Sequence, residues 1–181
     1  MAKQGMHGKT NALSAKEFFS GKNGLLLLLA LASFAAALPF LVGMYVFTAE
    51  FHSVPLRAFE LNSCLKDGVL FPRWSPDLFA GKGAPLFNFY APFAYYLVQI
   101  PVLLGIGGFA TAVHLVYALS MIASLFGAFL LARKFSSGKG ALVAAVFYAF
   151  FTYHFTDVFL RGAFSESVAY AILPFAAFFL L

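Results

Sequence analysis

Charge is scarce in this chain: Asp, Glu, Lys and Arg make up 10% of its 181 residues, where a soluble domain carries roughly a quarter. A globule of this size has too much surface for so few charges to cover. Because 62% of the residues are hydrophobic, the surplus apolar surface must meet lipid, and a water-soluble single domain is excluded. Cysteine is nearly absent. Cys64 alone cannot close an intramolecular disulfide, and no Cys/His spacing suits zinc. Acids are few, seven against twelve basic residues for a net charge of +5, yet the bases are scattered between apolar runs and form no basic face. No nucleic-acid partner is expected, and the excess cation marks membrane topology. Residues 1–24 carry no P-loop, GxGxxG or lipidation signal, so no soluble nucleotide site is visible. The chain shows no internal repeat.

Long apolar runs dominate what is present. Residues 1–24 hold Lys3, Lys9, Lys16 and Lys22 against Glu17 alone, a cytoplasmic basic tail by the positive-inside rule. Residues 25–47 carry no charge. At about 23 residues the run is long enough for a first transmembrane helix and longer than the apolar core of a cleaved signal peptide, the competing reading. Pro39 and Gly43 predict a bend. Residues 48–108 form a large extracytoplasmic loop. Leu56, Phe59, Leu61 and Leu65 recur there at near-helical spacing, predicting an amphipathic helix on the bilayer surface.

From Gly83 to Ala132 there is again no Asp, Glu, Lys or Arg. Two crossings in this stretch would put Arg133, Lys134 and Lys139 outside, against the charge rule. Leu86–Gly105, which holds Asn88, Tyr90, Pro92, Tyr95, Tyr96, Gln99 and Pro101, is therefore expected as a juxtamembrane or re-entrant helix, and 109–132 as the second crossing. Residues 133–139 become a cytoplasmic loop, 140–156 a third crossing, 157–166 an extracytoplasmic turn, and 167–181 the start of a fourth helix. The chain stops inside that apolar run, which predicts the amino-terminal portion of a larger polytopic protein. The fold class is an all-α transmembrane helical bundle.

This topology gathers carboxylates on one face of the bilayer. Glu50 follows the first helix, where it stays hydrated within reach of a headgroup, with His52 two residues on. Asp157, Arg161 and Glu166 land on the same side, and an Asp157–Arg161 ion pair is the plain structural reading of that spacing. Ionisable groups at membrane depth are functional candidates by default. Trp74, Phe87, Phe89, Tyr90, Tyr95 and Tyr96 would form an interfacial aromatic belt or line a sugar or isoprenoid groove. Arg73 and Lys82 would snorkel to headgroups or hold a phosphate. His114 and His154 are expected to be structural.

The run Asp67-Gly68-Val69-Leu70-Phe71-Pro72-Arg73-Trp74-Ser75-Pro76-Asp77-Leu78-Phe79-Ala80-Gly81-Lys82-Gly83-Ala84-Pro85-Leu86-Phe87-Asn88-Phe89-Tyr90 resembles the first outer loop of bacterial multipass membrane proteins related to the GT-C glycosyltransferases. Specifically, it resembles the group labelled 6-pyruvoyl-tetrahydropterin-synthase-related membrane proteins. The block Leu160-Arg161-Gly162-Ala163-Phe164-Ser165-Glu166-Ser167, leading to Leu173-Pro174, is similar to that group as well. Glu50 stands where the family carries an Asp, and Val54 stands near its His, with His52 displaced.

The resemblance implies a GT-C-like fold in the inner membrane with a cytoplasmic amino terminus. It also implies transfer of a sugar from a polyprenyl-phosphate donor to a glycan, lipid or protein acceptor on the extracytoplasmic face. Glu50 would be the base, with Asp157 and Glu166 as further catalytic acids. His52, Arg57, Arg73, Trp74, Lys82, Tyr90 and Arg161 would bind substrate, with Arg73, Lys82 and Arg161 on the phosphate. Glu50 with Asp157 or Glu166 could instead share a divalent cation, Mg or Mn. The alternative from the same ancestry is a non-catalytic protein that binds or transports a lipid-linked substrate.

Overall fold

The computed structural model describes residues 21–43, 50 and 52–181. The expected tail before Gly21 and the end of the first crossing, 44–47, lie outside the described residues. Helix α1 spans Lys22–Leu41, α2 Ser53–Lys66, α3 Phe93–Leu103, α4 Phe109–Arg133, α5 Gly138–Phe150, α6 Thr152–Thr156 and α7 Phe164–Leu180, with a π-helical turn at Asp157–Arg161. Among the described residues there is no strand, only an isolated antiparallel bridge between Ser75 and Ala84. The fold is all-α, as expected.

Three segments, Asn23–Leu41, Phe109–Arg133 and Gly138–Arg161, are long and apolar enough to cross a membrane, the mark of a membrane protein. Helix α4, Phe109–Arg133, lies over the run expected as the second crossing, 109–132. Helix α1 runs through Pro39 without breaking and stops at Gly43, whose φ of +67° suits a residue without a Cβ. Helix α3 covers 11 residues, about half a crossing, so the uncharged Gly83–Ala132 stretch holds one helix of spanning length.

The third segment is not one helix. Phe151 leaves the helical region at φ −58° and ψ 141°, which frees carbonyls at the end of α5. The His154 ring, buried and stacked on Tyr170 with centroids 4.3 Å apart, places Nδ1 3.1 Å from the Tyr148 carbonyl. His154 is thus structural, as expected. The segment then passes through α6 into the π turn and ends at Gly162, in the left-handed region at φ 70°. The turn expected at 157–166 is shorter than that, because α7 already starts at Phe164.

Helix α4 is the hub. It packs against α1, α5 and α7, and its first half also meets α2 and α3. Close approach to α7 rests on Gly127, where a Cβ would lie 2.8 Å from the Phe175 ring. The bundle has two unlike ends. At one, Gly138 faces Leu25, Arg133 lies beside Gly138, and Lys134 reaches the Phe178 carbonyl and ring. At the other, Phe40 stacks on Tyr117 at 5.0 Å and Tyr117 meets Phe164 edge-on at 5.0 Å. This aromatic layer floors the candidate site.

Candidate functional site

The site is built from backbone groups that helix ends leave unpaired. At the close of the π turn the Arg161 and Gly162 carbonyls project past their helix. The Glu50 amide donates to the Arg161 carbonyl at 3.2 Å, and the Tyr117 hydroxyl, buried under the layer, donates to the Gly162 carbonyl at 2.8 Å. The residue that precedes α2 is thereby fastened to the end of the third candidate spanning segment. Glu50 and Asp157 come together at one end of the bundle, although more than a hundred residues of chain separate them.

Glu50 also starts α2. Its carbonyl accepts from the Ser53 and Val54 amides at 3.0 and 3.2 Å and from the Ser53 hydroxyl at 2.8 Å. The first turn of α2 therefore grows directly on Glu50, and two turns later Arg57 returns over it. Arg57 Nη1 donates to Glu50 Oε2 at 2.9 Å and more weakly to the Tyr95 hydroxyl at 3.4 Å. The Arg57 guanidinium also sits 3.8 Å from the centre of the Tyr90 ring, within cation–π range. Burial alone would lower the Arg57 pKa. The Tyr95 and Glu50 hydrogen bonds outweigh it and hold the guanidinium above its ordinary value.

The second half of the site is the Asp157, Arg161 and Glu166 group. Asp157 is 0% exposed and pairs with Arg161, the i, i+4 pair expected from spacing. Its Oδ2 has no hydrogen-bond partner. Arg161 Nη2 reaches Glu166 Oε1 at 3.5 Å. Hydrogen bonding to Asp157, then burial and the Asp157 charge, push the Glu166 carboxyl above its usual range, against the opposing pull of Arg161. Glu166 therefore retains its proton more readily than an isolated carboxyl.

The remaining candidates lie elsewhere. His52 is exposed at the start of α2. Arg73, Trp74 and Lys82 sit exposed on the loop that follows α2, and no hydrogen bond or ion pair joins them to Glu50, Asp157 or Glu166. That loop is tied to the second half of α2. The Val69 amide donates to the Cys64 carbonyl at 2.9 Å, the Cys64 thiol approaches the Trp74 carbonyl at 3.6 Å, and the Ser63 hydroxyl donates to Asp77 at 3.3 Å. Phe79 and Ala80 are held at φ 53° and 58°, which costs about 1–2 kcal/mol per non-glycine residue. The Trp74 indole covers Gly83, where a Cβ would lie 2.2 Å from its Nε1.

An apolar groove of about 480 Å³ runs between α3, α4 and α7, lined by residues including Leu97, Ile100, Val116, Leu119, Val168 and Ile172 and by none of the charged side chains. Among the described residues no three His, Cys, Asp or Glu side chains gather as metal ligands. Glu50 and Asp157 each already pair with an arginine. As they stand, these side chains do not fit the divalent cation expected at Glu50 and Asp157.

Tyr117 escaped the sequence reading altogether, because nothing local separates it from the other apolar-helix aromatics. Arg57 is expected from the sequence as a substrate ligand and not as the partner of Glu50, for which its seven-residue separation on a helix that begins at Ser53 is the available signal. Neither a family model, nor a curated protein, nor a solved structure matches this chain.

Proposed function

We propose that this chain is a polytopic inner-membrane glycosyltransferase of GT-C type, transferring a sugar from a polyprenyl-phosphate donor on the extracytoplasmic side. The observation that carries the reading is the Glu50–Arg161 backbone hydrogen bond. It joins three carboxylates and two guanidiniums at one end of a membrane bundle that also carries a groove suited to an apolar chain. In the proposed reaction the Glu50 carboxylate takes the proton of the acceptor hydroxyl. The acceptor oxygen bonds to the anomeric carbon as its bond to the phosphate oxygen breaks, and the polyprenyl phosphate leaves with the bonding pair. Arg161, half exposed, and Arg57, once Glu50 is protonated, are the cations placed to hold that phosphate. No step runs through a metal ion.

Orientation follows from charge. The end bearing Arg133, Lys134 and Lys139 has no acid among the described residues, whereas Glu50, Glu60, Asp67, Asp77, Asp157 and Glu166 all belong to the other end or to the loop packed on it. The positive-inside rule makes the acid-free end cytoplasmic. With Cys64 replaced by serine, a cysteine introduced at Gly81 should react with an impermeant reagent on intact cells, and one at Ser137 should not. The reverse pattern overturns the orientation.

One observation favours the non-catalytic, lipid-binding alternative: the Glu50 carboxylate is already engaged by Arg57. Glu50→Gln and Asp157→Asn, each checked for insertion and folding, decide between them. Transfer of labelled sugar from a polyprenyl-phosphate donor should fall by at least about 100-fold in Glu50→Gln. Unchanged transfer refutes the base assignment, and donor binding with no transfer by the unmodified chain selects the alternative.

A further inference from the structure

The loop between α2 and α3 displays bulky apolar side chains to its surroundings while its own backbone is held fast. Phe71 is 86% exposed, Phe79 74% and Phe89 81%, with Leu70 and Trp74 more than half exposed beside them. A flexible loop would fold such rings inward. This one is prevented by the Ser75–Ala84 bridge, the Trp74 indole packed on Gly83, and the Tyr96 hydroxyl bonded to the Leu70 carbonyl. The left-handed backbone at Phe79 and Ala80 turns the Phe79 ring outward, a conformation that non-glycine residues hold only when their surroundings enforce it. Arg73 and Lys82 stand among these rings, exposed and, among the described residues, without an ion-pair partner.

We propose that this loop is a preformed wedge that inserts Phe71, Phe79 and Phe89 into the interfacial layer of the bilayer, with Arg73 and Lys82 on the phosphates of anionic lipid headgroups. Two features of the structure name this occupant. The first is charge complementarity, because Arg73 and Lys82, without an ion-pair partner among the described residues, flank the rings, the pattern by which side chains anchor at an anionic membrane surface. The carboxylate of Asp77, between them in the sequence, accepts from the Ser63 hydroxyl of α2. The second is continuity with the lipid-facing surface. The Ser165 hydroxyl donates to the Ala91 carbonyl at 3.2 Å, which fixes the end of the loop, two residues past Phe89, beside the first turn of α7. Helix α7 runs from there to the Lys134 end of the bundle and exposes Ile172, Leu173 and Phe179 along its length. The inference needs only that the chain crosses the membrane and does not depend on sugar transfer.

Trp74 is the chain's single tryptophan and sits inside the wedge, so its fluorescence tests the proposal without labels. The full chain is reconstituted into vesicles of phosphatidylethanolamine and phosphatidylglycerol. In one preparation the lipids are brominated near the glycerol end of the acyl chain, and in another iodide is added to the water. Bromolipid should remove more than about half of the Trp74 emission, and iodide should remove little, as for an indole seated at the interface. Phe79→Gly, which deletes the ring and relieves the left-handed strain, and the triple variant Phe71→Ser/Phe79→Ser/Phe89→Ser should each weaken bromolipid quenching, the triple variant by about twofold or more. Replacing Arg73 and Lys82 by Gln should abolish the dependence of quenching on the phosphatidylglycerol fraction. Iodide quenching without bromolipid quenching overturns the proposal. So does quenching that the Phe variants leave intact, or Trp74 shielding that rises with protein concentration in detergent, which would assign the surface to a second copy of this chain.

Discussion

The two ends of the bundle close their helices by opposite means. At the Arg133 end the Ser137 hydroxyl accepts from the Gly140 amide at 3.3 Å, and Lys134 covers the Phe178 carbonyl. These are inexpensive solutions in which each charge stays hydrated and no acid takes part. At the Glu50 end the chain buries Asp157 completely, leaves one of its oxygens without a partner, and stacks Arg57 between a carboxylate and two tyrosines. Stability does not ask for this arrangement, because a buried ion pair recovers little more than its own desolvation cost. Charge concentrated against that cost is the ground for placing the proposed chemistry at this end.

Equal substitutions at the two ends break the comparison most sharply. On the proposed function, Arg57→Ala removes a cation that would hold the leaving phosphate, and sugar transfer should drop by about 100-fold. Lys134→Ala should leave it within about twofold. Loss of the same size in both variants would mean that the ends do not differ in function.

Packing should respond in the opposite way. Gly127→Ala forces a Cβ against Phe175 and Pro174, and overpacking of this kind costs about 1–3 kcal/mol. Thermal unfolding in detergent should show the loss, with the Glu50–Arg57 pair and residual activity below the transition retained.

A smaller effect is expected where α2 meets α3. Asn62 Nδ2 donates to Gln99 Oε1 at 2.9 Å, and Gln99 Nε2 donates to the Ala58 and Tyr95 carbonyls, all in buried surroundings. Asn62→Leu leaves one buried acceptor unpaired and should destabilise by about 1–2 kcal/mol. If Gln99→Leu costs no more than Asn62→Leu, the bonds to the Ala58 and Tyr95 carbonyls contribute nothing measurable.

The smallest effect is a pH dependence of the loop. Glu60 is buried in α2, and burial pushes its carboxyl above the ordinary range; the Asp77 amide opposes this and the Asp77 charge adds to it. A carboxyl whose folded pKa is raised stabilises the fold when protonated. That contribution is complete below the unfolded value and is lost as pH rises through the folded one. Loop packing over α2 should therefore loosen on the alkaline side of the Glu60 transition. The buried Cys64 thiol, the chain's single cysteine, reports the opening through its labelling rate. Glu60→Gln should remove the pH dependence beyond that of the thiol itself, and an unchanged profile would dismiss Glu60 as its source.

The legible parts of this molecule are those where one local property decides. Uncharged runs of membrane length gave α1 and α4, and the α4 bounds follow from Gly108 on one side and Arg133 on the other. Periodicity at Leu56, Phe59, Leu61 and Leu65 located α2, and the Asp157–Arg161 pair followed from spacing. The third candidate span, Gly138–Arg161, overlaps the run expected at 140–156 but is not one helix. Its break at Phe151 depends on the His154 ring reaching the Tyr148 carbonyl and stacking on Tyr170, and no local pattern announces that.

By itself the sequence determined that the chain enters lipid, where its helices lie, and that acids and cations are sorted by segment, because burial of apolar length and charge asymmetry are additive along the chain. Only the tertiary structure decided which charges meet. Glu50 joins Arg57 instead of His52, and comes to the Asp157 group through the Arg161 carbonyl. The lone Tyr117 hydroxyl secures Gly162, while Arg73 and Lys82 go to a separate aromatic surface. Each of these depends on a helix end presenting an unpaired backbone group to a distant segment, and that geometry exists only once the helices have packed.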